Sequence, residues 1–196
     1  MLINLTKNSQ YNHKIILQTA IPRPIAWIVT EEEGRVNIAP YSLFTPLSFD
    51  PASLIVSMRM KDDGTPKDTL VNIRNTKRCT ICMVEESDLD KMHFSSKEVA
   101  KDVSEAVLFD IETKIMVDGY PPVIKGVPVA YFCDLSQEIT LHEDNTVPLI
   151  LNIKEVFVDD SSIEDRDSLK ISFNPIAHVG ADYALLGESI KAPSIP

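Results

Sequence analysis

The sequence predicts a mainly β protein, a β-barrel with short helices packed on it. Runs of strand length outnumber helical ones, and several alternate in the two-residue period that sends successive side chains to opposite faces. Thirteen prolines stand against six glycines, which favours rigid turns and short strands over long helices. The apolar fraction of 44% supports a real core, and 196 residues suit one domain, read as 1–196 with a lead-in at 1–22 and a loose tail at 188–196.

Residues 1–22 are polar, then mildly apolar at Ile15, Ile16, Leu17 and Ile21, and read as an irregular lead-in with a short strand or turn. From 23 to 30 the pattern is a strand apolar on both faces, with Ile25, Trp27 and Val29 opposite Ala26, Ile28 and Thr30. The run Glu31-Glu32-Glu33-Gly34 is a turn, and 36–41 returns as the second half of a hairpin. Pro40 lacks a backbone donor, so that strand is irregular or lies at an edge. Asp50-Pro51 breaks the chain before a strand at 53–59 that sets Leu54, Val56 and Met58 against Ile55, Ser57 and Arg59. The second face is either a lined pocket or a surface that meets water.

Thr65-Pro66-Lys67-Asp68 has the spacing of a helix start, with Thr65 as N-cap, and 75–77 ends the helix. A strand follows at 78–84. Its Cys79 and Cys82 are three apart and point to opposite faces, which makes them buried structural residues rather than a redox or zinc pair. Short helices are expected at 88–92 and 97–107, and strands at 109–117, 128–135 and 149–158. The tail turns apolar at 169–173 and ends in a proline-rich stretch.

The formal net charge of −10 argues against general nucleic-acid binding, which needs a basic face. No apolar run approaches the ~20 residues of a membrane span, and the first residues lack a signal-peptide core, so a cytoplasmic protein without membrane contact is expected. Three cysteines are too few for a disulfide framework. There is no G-x-G-x-x-G, Walker A or G-x-S-x-G sequence. His13, His93, His142 and His178 lack metal-ligand spacing, so no metal is expected.

What remains is the stretch 23–69. The mouth of a helix binds anions, because its first backbone N–H groups have no intrahelical partner. Lys67 and the Thr69 hydroxyl at such a mouth suit a phosphate, and Arg59 can add a second positive charge. The order Arg23-Pro24, then Asn37-Ile38-Ala39-Pro40-Tyr41-Ser42, then Asp50-Pro51, then Lys67-Asp68-Thr69 resembles the flavin reductase-like family with the FMN-binding split β-barrel. The resemblance runs from about residue 23 into the C-terminal strand and tail.

That resemblance implies a six-stranded antiparallel split barrel, a homodimer and FMN near the dimer interface, with FAD as the alternative flavin. It implies that Thr30, Asn37, Ala39, Pro40, Tyr41 and Ser42 line the flavin ring and ribityl chain. Ser57, Met58 and Arg59 continue that wall, and Lys67, Asp68 and Thr69 lie at the phosphate. Trp27 and Tyr41 are the aromatic candidates to pack on the ring, with Trp27 weighted toward the core. The activity implied is hydride transfer from NADH or NADPH to flavin, for which no dedicated acid or base is needed. The alternatives are an FMN electron-transfer protein without nicotinamide activity, and a split barrel that has lost flavin and serves as a binding module.

Overall fold

A seven-stranded antiparallel sheet curls until its two edges, consecutive in sequence, approach each other. The computed structural model describes residues 2–6, 11–141 and 145–195, and His142 lies outside them. The chain begins with α1 (Asn12–Thr19), β1 (Arg23–Pro24), β2 (Ala26–Glu32), β3 (Arg35–Tyr41), β4 (Phe44–Phe49) and β5 (Ala52–Arg59). Then come α2 (Asp68–Thr76), β6 (Arg78–Cys82), α3 (Leu89–Phe94), α4 (Glu105–Leu108), β7 (Thr113–Lys114) and β8 (Val123–Ile124). The C-terminal part holds β9 (Val129–Glu138), β10 (Thr146–Val158), β11 (Ile163–Asp165), β12 (Lys170–Ile171), β13 (Ile176–Val179) and β14 (Asp182–Leu185). The barrel sheet runs β3-β2-β6-β9-β10-β5-β4, and β1, β13 and β14 form a small sheet beside it. A bond from the Ser57 N–H to the Leu43 carbonyl, 2.8 Å, ties β5 to the link between β3 and β4.

β2 is apolar on both faces because both faces are covered. Ala26 and Ile28 meet Leu54, Val56, Met58, Leu149 and Leu151 inside the barrel, together with Leu70 and Ile73 of α2. Ile25, Trp27 and Val29 meet Met92, Ile111, Val123, Ile124 and Phe132 in a second core between the sheet and the segment that covers it. Each such side chain fully buried contributes about 1.5–3 kcal/mol. The cysteines divide the same way: Cys79 packs in the first core opposite Cys133, and Cys82 in the second. All three are buried free thiols.

Several boundaries differ from the sequence expectation. β2 continues through Glu32, so the turn is only Glu33-Gly34, both at positive φ (53° and 77°). This is the two-residue geometry that matches strand twist, and glycine supplies one of its two left-handed positions. β3 is an edge strand, which accommodates Pro40. α2 begins at Asp68 with Lys67 as N-cap, whereas Thr65 is spent on a turn in which its hydroxyl donates to Asp63 at 2.6 Å. The helix ends as expected, with Lys77 in the left-handed region (φ 62°).

The lead-in holds a helix, α1, rather than a strand or turn. The Arg23 guanidinium donates to the carbonyls of Leu17 and Ala20 at its end, a partner that no local pattern reveals. β4 was not foreseen. The expected helix at 97–107 shrinks to α4, because the Ser104 hydroxyl donates to the Val36 carbonyl and pins the preceding segment to β3. The expected strand at 109–117 shrinks to β7, and the apolar 169–173 run to β12. Among the described residues, no helix is long and apolar enough to cross a membrane.

Candidate functional site

The α2 mouth opens on a cleft of about 130 Å³. One wall is the edge strand β3, contributing Asn37, Ala39, Pro40 and Tyr41. The floor is Lys67, Asp68 and Thr69 at the start of α2. Lys61 enters from the end of the β5 connection, and the segment after α3 closes the far side with Ser95, Ser96, Lys97 and Glu98. Glu105 of α4 completes the lining. Pairing of β3 with β2 brings residues of the hairpin to the helix that follows β5, about thirty positions later, and this makes the site.

The polar groups are fixed by one another. The Asn37 amide donates to Thr69 Oγ1 at 2.9 Å, which leaves the Thr69 hydroxyl proton for another acceptor. Tyr41 is buried, and its hydroxyl faces the hydroxyl of Thr69. Burial, with the charges of Glu105 and Asp68, pushes the Tyr41 hydroxyl's pKa up against the pull of the Thr69 hydroxyl, so it stays protonated. Lys61 Nζ lies 3.5 Å from Asp68 Oδ2, and Lys67 Nζ lies 3.6 Å from Glu98 Oε1. Glu105 is only 5% exposed, and its Oε2 accepts from the Ile38 N–H at 3.0 Å. Burial raises its pKa above the ordinary carboxylate value, against the pull of the backbone bonds.

The expected residues divide between the cleft and its surroundings. Asn37, Ala39, Pro40, Tyr41, Lys67, Asp68 and Thr69 line the cleft together. Thr30 is buried behind α2, its hydroxyl 3.0 Å from the Asn72 amide. Met58 is buried in the barrel core, while Ser57 is half-buried and Arg59 is exposed. Ser42 lies past the rim, with its hydroxyl 3.1 Å from His178 Nδ1 and 3.5 Å from Arg23 Nε. His178 stacks on Tyr183 at 4.9 Å, and the Tyr183 hydroxyl is 2.9 Å from His93 Nδ1. Partial burial, then the charges of Arg23 and His93, lower the His178 pKa and favour the neutral ring. Trp27 is fully buried and donates through Nε1 to Ser95 Oγ at 2.9 Å, which makes it core.

Lys61, Ser95, Lys97, Glu98 and Glu105 were not singled out from sequence. The paired serines Ser95-Ser96 followed by lysine were the available signal for the far wall. Glu105, a lone acid heading a short apolar run, was the other. Among the described residues, no cluster of histidine, cysteine and acidic side chains could hold a metal.

The curled sheet is that of the split barrels, and the comparisons agree. The flavin reductase like domain matches residues 18–179. A protein of Aquifex aeolicus with no assigned function is 27% identical over 175 residues, covering 87% of each chain. The crystal structure of Pseudomonas fluorescens 2-nitrobenzoate 2-nitroreductase superposes with a TM-score of 0.88 at 23% identity, covering 100% of this chain and 96% of that one. Nitrilotriacetate monooxygenase component B from Bacillus cereus gives 0.86 at 24% identity, with 98% of each chain covered. The chain belongs to the flavin reductase-like family, and its class is that of flavin-linked oxidoreductases.

Proposed function

We propose that this protein binds FMN in the α2 cleft and transfers a hydride from NADH or NADPH to flavin. The observation that carries this reading is the cleft itself. The free N–H groups of the α2 mouth, the Thr69 hydroxyl and three lysines converge beside the Asn37–Tyr41 edge of β3. A volume of about 130 Å³ suits the phosphate end of FMN and is short of the whole molecule. Asn37 holds Thr69 in place, and Pro40 fixes the backbone of the edge strand. When bound, FMN supplies the two-electron chemistry, and the protein supplies position and charge. The similar structures named for a nitroreductase and a monooxygenase component support a redox role.

Ser42, Ser57 and Arg59 remain proposed contacts of the ring side, and buried Thr30 and Met58 support that wall from behind. We also propose a homodimer. Leu47 and Phe49 of β4 are exposed, Phe49 by 94%, and on the same edge of the sheet half-buried Ile55 of β5 pairs with Ile150 of β10. A second copy would cover this apolar edge. Three buried free thiols suit a reducing, cytoplasmic compartment.

Lys67→Ala and Thr69→Ala should each weaken FMN binding by about tenfold, the worth of one charge-assisted bond. Fluorescence titration measures this, and unchanged affinity in both would remove the phosphate assignment. Anaerobic NADH or NADPH should bleach the bound flavin. Persistence of its bands with both donors would leave an electron carrier in place of a reductase.

A further inference from the structure

The lining of the cleft balances three lysines, Lys61, Lys67 and Lys97, against three carboxylates, Asp68, Glu98 and Glu105. Two ion pairs form within this set, Lys61 with Asp68 and Lys67 with Glu98. Lys97 and Glu105 make no ion pair among the described residues. With Glu105 ionised the lining is formally neutral, and with Glu105 protonated it carries one positive charge.

Glu105 also differs in burial. It is 5% exposed, whereas the side chains of Asp68 and Glu98 are 24% and 59% exposed. Its bond from the Ile38 N–H needs only a carbonyl-type acceptor, so the protonated acid keeps it. The groups around it come from every wall. β3 presents Asn37 and Tyr41, the approach to α2 presents Lys61 and Lys67, and α2 presents Asp68 and Thr69. The segment after α3 presents Lys97 and Glu98. The adjoining hollow holds Glu32, Arg35 and Lys101.

We infer that Glu105 belongs to the binding site as a proton-carrying residue, protonated when the cleft holds a phosphate-bearing ligand. The inference rests on the reading that the cleft takes FMN by its phosphate. An anion entering the cleft raises the proton affinity of Glu105, and by linkage the proton raises the affinity for the anion. At an effective dielectric of about 20, a carboxylate roughly 10 Å from a phosphate weakens binding by about tenfold or more. Glu105 thus sets a pH dependence on ligand uptake that the helix mouth and the lysines do not.

The test compares FMN dissociation constants for the wild type and Glu105→Gln between about pH 5.5 and about pH 8.5. Glutamine retains the bond from Ile38 and removes the titration. The second ionisation of the FMN phosphate, near ~6, affects both proteins alike. The expected result is similar affinity at the low end and about tenfold tighter binding by the variant at the high end. Riboflavin, which lacks the phosphate, should show no such divergence. A ratio constant across pH, or the same divergence with riboflavin, overturns the inference and leaves the flavin reading standing.

Thermal stabilisation by inorganic phosphate, run in parallel, reads the same linkage without flavin. If the wild type takes up no FMN yet the phosphate response diverges with pH, the flavin reading fails and Glu105 keeps its role. If the phosphate response does not diverge either, both fail. Should the variant not fold, a carboxyl carbon titration of Glu105 in the wild type replaces it. Added phosphate should shift its midpoint upward, and an unmoved midpoint overturns the inference.

Discussion

Glu105 lines the cleft, yet nothing local in the sequence marks it. Its carboxylate meets the Ile38 N–H across 67 positions, so no spacing rule connects the two. Lys67 and Thr69 stand out because their types suit a phosphate at a helix mouth, Asn37 because its place in the chain matches a family pattern, and all three line the cleft. That pattern did not separate residues lining the cleft from Thr30 and Met58, which lie behind it. Burial of Glu105 also has a stability consequence. Its folded pKa is raised, so the native state favours the proton. The cost is absent below the unfolded pKa of about 4.3 and appears as pH rises through the raised folded value. Glu105→Gln should therefore match the wild type near about pH 4 and be more stable near about pH 8. Urea denaturation at both pH values measures this, and a variant less stable at the higher value would refute it. Trp27 gives a second residue-scale prediction. Ser95→Ala leaves its buried indole N–H unpaired and should cost about 1–3 kcal/mol by the same measurement.

At the scale of elements, alternation carried the reading well where both faces of a strand are decided by packing. β2, β5, β6, β9 and β10 fall in this group. Patterns failed where a distant partner settles the outcome. α1 ends on bonds to Arg23, the shortened α4 follows Ser104 pinned at Val36, and β4, irregular between Pro46 and Ser48, exists through pairing with β5. α2 shows both cases. Its end at Lys77 was legible, whereas its start shifted because Thr65 bonds Asp63 instead of capping. The β2–β3 turn invites an improvement. Glu33 adopts a left-handed conformation that asparagine tolerates better, so Glu33→Asn should gain about 0.5–1 kcal/mol. Thermal melting checks this, and an unchanged or lower midpoint would contradict it. α2 is tied to β9 by a two-bond pair, Arg74 with Glu138 at 2.8 and 2.6 Å. Because both side chains are about a third exposed, Arg74→Ala should cost no more than about 1 kcal/mol.

For the whole molecule, a barrel with short helices was legible from strand periodicity and proline content. The family resemblance added the split-barrel topology. Sequence could not show that β3 and β4, adjacent along the chain, end at opposite edges of one curled sheet. It also could not show that the connection after α3 folds back as the far wall of the cleft, since that segment has little regular structure of its own. The exposed edge at Phe49 predicts a dimer in solution, and sedimentation velocity at micromolar concentration reads it directly. A single species at the monomer mass of 21.9 kDa would refute the dimer.

FMN is proposed to sit in the α2 cleft. The most direct measurement is the visible spectrum of the protein after incubation with FMN and removal of free flavin by gel filtration. Flavin bands near ~450 nm, travelling with the wild-type protein and reduced in Lys67→Ala and Thr69→Ala, are the predicted result. A colourless protein peak, or one equally yellow in all three proteins, would contradict the assignment.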